Sequence, residues 1–76
     1  MDGMDFRQLF QDHASYVWNS LRRLGVPEGE RDDLTQEVFM TVHALKDDFD
    51  PSRPFRPWAF GIAYRLVLRH RRHDRD

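Results

Sequence analysis

Residues 53–65 read RPFRPWAFGIAYR and run directly into LVLRHRRHDRD, so aromatic rings and arginines share one short segment. Arginine neutralises phosphate and aromatic rings stack on unpaired bases, so the two kinds of side chain on one surface would hold single-stranded nucleic acid. The same residues divided between a buried apolar face and a solvated arginine tail would not. The elements that carry them decide between the two.

A helix predicted over about residues 55–72 gives the geometry. At roughly 100° per residue, Phe55, Ala59, Ile62, Ala63, Leu66, Val67 and His70 fall on its core face, and Trp58, Gly61, Arg65, Leu68, Arg69 and Arg72 fall on the other. A solvent-side stripe therefore begins with an aromatic ring and continues in arginines, and Phe49 adds a ring in the preceding loop. Pro57 fits only the first turn of such a helix. Two further helices are expected. Phe6, Leu9, Phe10, His13, Tyr16, Val17, Leu21 and Leu24 recur at spacings of three and four over about residues 4–24, with Gly25 and Pro27 as stop signals. A second helix, over about residues 28–46, buries Leu34, Val38, Val42 and Leu45, with Asp33 and Gln36 spaced as a capping box. The Asp-Pro and Arg-Pro pairs in the stretch DDFDPSRP make residues 47–54 a loop. No strand, repeat or second domain is visible. The expected fold is all-α, a compact three-helix domain over residues 1–76.

Composition bounds the function. The 76 residues lie near the lower limit at which a cysteine-free chain buries enough surface to fold alone. Without cysteine there is no disulfide framework and no thiolate zinc site. No apolar run approaches the roughly 20 residues that span a bilayer, and MDGMD is the opposite of a basic secretory opening, so a soluble, untargeted, cytoplasmic protein without membrane contact is expected. The overall charge of −1 hides an asymmetry: residues 1–50 carry 5 Lys or Arg against 11 Asp or Glu, and residues 51–76 carry 7 against 2. If these parts are separated in space, one can face a polyanion and the other a basic partner. Enzyme chemistry is not expected. His73 and Asp74 form a His-Asp pair but lack the further ligands of a metal phosphohydrolase, and His70 with His73 lacks a third ligand. Lone His13 and His43 carry no catalytic pattern. No metal, cofactor or small-molecule substrate is therefore expected.

The stretch DDLTQEVFMTVHALKDDFDPSRPFRPWAFGIAYRLVLRHRR resembles region 2 of bacterial sigma-70-family transcription initiation factors, specifically the extracytoplasmic-function (ECF) group. That group's pattern is Asp-Leu-hydrophobic-Gln-Glu-hydrophobic-Phe on one helix, then a short loop with Phe and Asp. Phe-x-x-Trp-Leu-Phe-x-Ile-Ala-x-Asn and an arginine-rich end follow. With the first helix, FRQLFQDHASYVWNSLRRLG, the resemblance covers residues 5–73.

The resemblance implies two surfaces. In the family, the helix bearing Asp-Leu-x-Gln-Glu docks on the clamp helices of the polymerase β′ subunit; here Asp33, Gln36, Glu37, Met40 and His43 form the stripe opposite the core positions. Carboxylates and an amide beside an adaptable methionine suit a basic, partly apolar helix. In the family, the following loop accepts a base flipped from the minus-ten element on the non-template strand; Asp48, Phe49, Asp50, Ser52 and Arg53 occupy that loop here, and Trp58, Gly61, Arg65, Arg69 and Arg72 continue the DNA-facing side. Trp58 either stacks at the fork or packs the base of the loop, with packing preferred. An anti-sigma protein that covers both surfaces is a further implied partner.

Departures limit the carry-over. Ala59 stands where the family has Leu, and Gly61, Tyr64 and Arg65 replace the common Arg, Arg and Asn, which leaves the minus-ten preference open. Arg65 puts a charge where an amide is usual, favouring phosphate contact over base reading. Region 4, the family's domain for the minus-thirty-five element, has no counterpart in these 76 residues, so a truncated or processed fragment with weak promoter binding is expected. Two other readings remain open: a helical module that contacts only protein, as a sigma-like antagonist would, and a helix-turn-helix reader of duplex DNA, for which the usual tight turn is missing.

Overall fold

Asp5 sets the first helix, α1 (Phe6–Arg23), by capping it: its Oδ1 accepts from the backbone N–H of Arg7 at 3.1 Å and of Gln8 at 3.3 Å. Two of the four orphan N–H groups at a helix start are thereby satisfied. This computed structural model describes the backbone of residues 5–74 and the side chains of residues 5–72, so Met4, expected in α1, and the side chains of the His73–Asp74 pair lie outside the described residues. Gly25 terminates α1 with a φ of +89°. Its N–H bonds the Arg22 carbonyl and that of Val26 bonds the Leu21 carbonyl, both at 3.0 Å. These reverse bonds form a Schellman turn, whose left-handed position favours glycine. The turn folds Val26 into the core, a burial that the helical spacing of α1 does not signal.

The second helix, α2 (Glu28–Ala44), starts directly behind Pro27 with no side-chain cap. Asp33 therefore lies in its second turn, and the capping-box expectation is corrected. Glu28 and Glu30 in the first turn instead place negative charge against the helix dipole. At the other end α2 stops at Ala44 and a 3-10 turn (Lys46–Asp48) follows, earlier than the expected limit at residue 46. Leu45, expected on the buried face, is consequently the C-cap residue and is 37% exposed.

The third helix, α3 (Phe55–Asp74), carries Pro57 in its first turn, where a missing N–H breaks no helical bond. Each helix packs on both others. Val17 and Leu21 of α1, Leu34, Val38, Phe39 and Val42 of α2, and Ile62, Ala63, Leu66 and Val67 of α3 form one core. Phe39, absent from the expected core face, is 1% exposed and heads the largest fully buried side chains. It is covered by the rings of Phe10 at 4.8 Å and Phe6 at 6.3 Å. Because α2 meets two neighbours, it buries a wider arc than a single apolar stripe. Phe10 itself, in the expected apolar row of α1, is exposed at the rim.

Cross-helix polar contacts fix the end of the bundle where α1 stops. His70 Nε2 lies 2.5 Å from Glu30 Oε1, and the Arg71 Nη2 donates to the Leu24 carbonyl. His70 is thus a half-buried link between α3 and α2 rather than a core residue. The acidic start of α2 and the basic end of α3 meet at the same end. The charge asymmetry of the sequence is therefore not a separation between the two ends of the domain. Among the described residues, no strand occurs and no helix is long and apolar enough to cross a membrane.

Candidate nucleic-acid and partner interfaces

The loop before α3 is built on its own hydrogen bonds. Arg53 N–H donates to the Asp50 carbonyl at 3.0 Å, closing a turn with Pro51 at its second position. Asp50 Oδ1 accepts from the Ser52 N–H at 2.9 Å and the Ser52 hydroxyl at 2.8 Å, and Arg53 Nε lies 3.8 Å from Asp50 Oδ2. The Ser52 N–H, and then its hydroxyl, hold the Asp50 carboxyl below its usual pKa. Side-chain acceptance two residues on is the local bond that Asp favours in turns.

Aromatic contacts anchor this turn to α3. The Phe49 ring lies 4.8 Å from Trp58 at 37° and 5.9 Å from Phe55, edge-on. Trp58 and Phe55 in turn pack against the core. Trp58 therefore packs the base of the loop, as preferred, and is also a wall. With Asp48, Phe49, Asp50, Arg53, Pro54 and Pro57 it lines a cavity of about 550 Å³. Five of the residues assigned to DNA from the resemblance thus converge on one concave surface, within the roughly 300–1,000 Å³ typical of small-ligand sites. Ser52 shapes the turn through Asp50 and does not line the cavity. Pro54 and Pro57 were not among the expected site residues. Their signal lay in the loop itself, since each follows an arginine and stiffens one wall.

The remaining DNA-assigned residues lie along α3. Arg65, Arg69 and Arg72 are exposed and Gly61 half-buried. At about 100° per residue, Arg65 and Arg69 fall on the same side as Trp58, and at about 1.5 Å rise Arg69 stands roughly 16 Å from it. The cavity and the arginines are one surface extended along the helix. A neighbouring row was not anticipated: Phe60, Tyr64 and Leu68, four residues apart, are all exposed.

The α2 row has a different construction. Asp33, Gln36, Glu37, Met40 and His43 are all exposed, with Met40 at 70%. The core positions of the same helix hold them in place. His43 meets the Phe6 ring edge-on at 5.1 Å. Between the two regions, His13 Nδ1 accepts from Arg56 Nε at 3.1 Å while its ring lies 4.6 Å from Phe55. The Arg56 guanidinium covers the Tyr16 ring at 4.7 Å. Burial, and then the Arg56 charge, lower the His13 pKa, partly opposed by Asp12. Among the described residues, no group of three or more His, Cys, Asp or Glu is arranged to hold a metal ion.

Comparison with known proteins agrees with this geometry. The family described as Sigma-70 region 2 matches residues 9–76. The chain is 42% identical over 57 residues to the RNA polymerase sigma factor CnrH of Cupriavidus metallidurans, covering 75% of this chain and 30% of that protein. It is 41% identical over 61 residues to the RNA polymerase sigma factor NccH of Alcaligenes xylosoxydans xylosoxydans, covering 80% and 33%. To the ECF RNA polymerase sigma factor SigL of Mycobacterium tuberculosis it is 29% identical over 70 residues, covering 91% and 40%. The chain thus spans about a third of the length of these curated relatives. No solved structure matches it significantly. A three-helix fold, an aromatic loop cavity before an arginine-bearing helix, and a family match over nearly the whole sequence agree: the chain belongs to the sigma-70 region 2 family, in its extracytoplasmic-function group.

Proposed function

We propose that this domain joins core RNA polymerase to melted promoter DNA during transcription initiation. The α2 row of Asp33, Gln36, Glu37, Met40 and His43 docks on the β′ clamp helices. The loop cavity takes up a base flipped from the non-template strand of the minus-ten element, and Arg65, Arg69 and Arg72 follow the phosphates along α3. The observation that carries this reading is the loop cavity, lined by Phe49 and Trp58 beside Asp48, Asp50 and Arg53. Removing a base from its stack costs a few kcal/mol, so a receptor must offer a stacking face and polar groups already in place. No bond is made or broken. The domain acts by capture after docking, in the bacterial cytoplasm at the nucleoid, and an anti-sigma protein that covers both surfaces would silence it.

Binding to an isolated β′ clamp-helix fragment tests the docking half. The expected result is binding that falls at least about tenfold, or 1.4 kcal/mol, in the Gln36→Ala, Glu37→Ala double variant while helical content persists. A folded protein that does not bind the fragment would refute docking and favour a module that contacts only other proteins.

A further inference from the structure

A second cavity, of about 320 Å³, lies in the seam between α1 and α2, apart from the loop site. Phe10, Ala14 and Trp18 form its apolar side, and Ser15, Asp32, Thr35 and Gln36 its polar side. Thr35 is 6% exposed, and its Oγ1 is the one buried side-chain polar atom among the described residues without a hydrogen-bond partner. The hydroxyls of Ser20 and Thr41 show the usual alternative: each donates to the carbonyl four residues earlier, at 2.8 and 2.9 Å. A buried hydroxyl left unpaired is unfavourable, and a donor from a bound group would relieve it. Asp32 uses Oδ1 to accept from Trp18 Nε1 at 3.1 Å, and no other polar contact engages its second oxygen among the described residues. Arg31, the cation nearest in sequence, does not fill the seam. Its Nε donates to the Val26 carbonyl at 2.8 Å and its guanidinium covers the Trp18 ring at 4.9 Å.

We propose that this seam is a socket for one arginine side chain projecting from a basic helical partner. The chemistry selects the occupant. A carboxylate on the rim excludes an anion, and two aromatic rings with an alanine suit an aliphatic stem better than water. The Asp32 carboxylate, the Gln36 amide oxygen and Thr35 Oγ1 are three separated acceptors. A planar guanidinium with five donors matches such a set, whereas an ammonium presents three donors at a single point. The inference rests on the docking proposed for α2, because Gln36 belongs to both the acidic row and the seam. It extends that surface onto α1, through Phe10, Ala14, Ser15 and Trp18, and gives one partner side chain a defined seat.

The test uses two readouts on the whole chain. Ser15→Met fills the seam from an exposed rim position without touching the core, and Asp32→Asn removes the charge while keeping an acceptor for Trp18. Affinity for the β′ clamp-helix fragment is expected to fall about tenfold in each variant, with circular dichroism unchanged. Acetyl-arginine amide, titrated against acetyl-norleucine amide as control, is expected to move the Trp18 indole N–H resonance saturably in the unaltered chain and not in Ser15→Met. Unchanged fragment affinity in both variants, with the Gln36→Ala, Glu37→Ala loss retained, overturns the socket and leaves docking standing. If the fragment fails to bind the unaltered chain, docking is refuted and the titration decides alone: an arginine-specific saturable shift supports the socket, and its absence overturns it.

Discussion

The loop before α3 and the exposed row of α2 solve two binding problems by opposite means. In the loop, the groups that would meet a ligand already hold one another: Phe49 lies on Trp58, and Asp50 is bonded twice by Ser52. On α2, the exposed side chains of Asp33, Gln36, Glu37 and Met40 take their order from the helix beneath, through Leu34, Val38, Phe39 and Val42. The difference fits the proposed partners. A base that leaves its stack has lost its own contacts, so its receptor must be prebuilt. A helix that docks on a helix brings order with it, so a row fixed only at its Cβ atoms is sufficient.

The comparison breaks most severely if the support under α2 is removed. Phe39→Ala deletes the ring that Phe6 and Phe10 cover, at an expected cost of about 3–5 kcal/mol. In a domain this small such a loss is a large share of the whole stability. Urea denaturation should show a transition near zero denaturant, and both binding activities should be lost together. Retention of loop function in this variant would mean that the loop and α3 fold independently of α2. A sharper cut is Phe49→Ala. Removing one stacking face is expected to weaken binding of a minus-ten single-stranded oligonucleotide by about 1–3 kcal/mol. Affinity for the β′ clamp-helix fragment should stay within error. Equal losses in both assays would show that the two regions are not separate sites.

The two regions were not equally legible in the sequence. The core face of α3 follows from a 3.6-residue period, and Ala59, Ile62, Ala63, Leu66 and Val67 are buried as expected. Gly25 and Pro27 mark the end of α1 because backbone geometry at a helix stop is a local property. Phe39 and Val26 escaped for a non-local reason: one faces a second neighbouring helix and the other is turned inward by a Schellman bond. The start of α2 lies at Glu28, close to where it was expected, but the capping box was misread at Asp33 because Pro27 supplies an extended N-cap without a side-chain bond. The loop residues were named through family resemblance, and the structure explains their grouping by a turn that brings Asp48, Phe49, Asp50 and Arg53 against Trp58. The α1–α2 seam was not legible. Its Trp18–Asp32 bond joins residues 14 apart on two helices, and no periodicity within one helix reports it.

A smaller perturbation addresses the end of the bundle away from the loop. Gly25→Ala puts a Cβ at a φ of +89°, where it would stand 2.9 Å from Arg71 Nη2. The left-handed strain alone costs about 1–2 kcal/mol, and the Arg71 contact to the Leu24 carbonyl must shift as well. The expected outcome is a lower Tm with unchanged oligonucleotide affinity, since Phe49 and Trp58 lie at the other end of α3. A parallel loss of oligonucleotide binding would show that the Arg71 end of α3 sets the geometry of its start.

The smallest effect separates the two regions by pH. His13 Nδ1 accepts from Arg56 Nε, so protonation would set two donors face to face; Asp12, the other charged neighbour, favours the proton without cancelling this. The folded pKa of His13 lies below its ordinary 6.5, so the unfolded chain binds the proton more readily. The stability from this brace is therefore complete above pH 6.5 and is lost as pH falls below that value through the folded pKa. Asp50 has the same sign in a lower window: its pKa is depressed from 3.8, so its turn holds its full contribution above 3.8 and loses it only as pH falls further. Thermal melts from neutral to mildly acidic pH should thus show the α1–α3 brace weakening while the loop turn persists. His13→Gln, whose amide oxygen still accepts from Arg56, should flatten the decline seen as pH falls below 6.5. An unchanged decline in His13→Gln would show that the His13–Arg56 brace is not its source. A decline that begins only below 3.8 would assign it to the loop carboxylate, leaving the α1–α3 brace indifferent to pH.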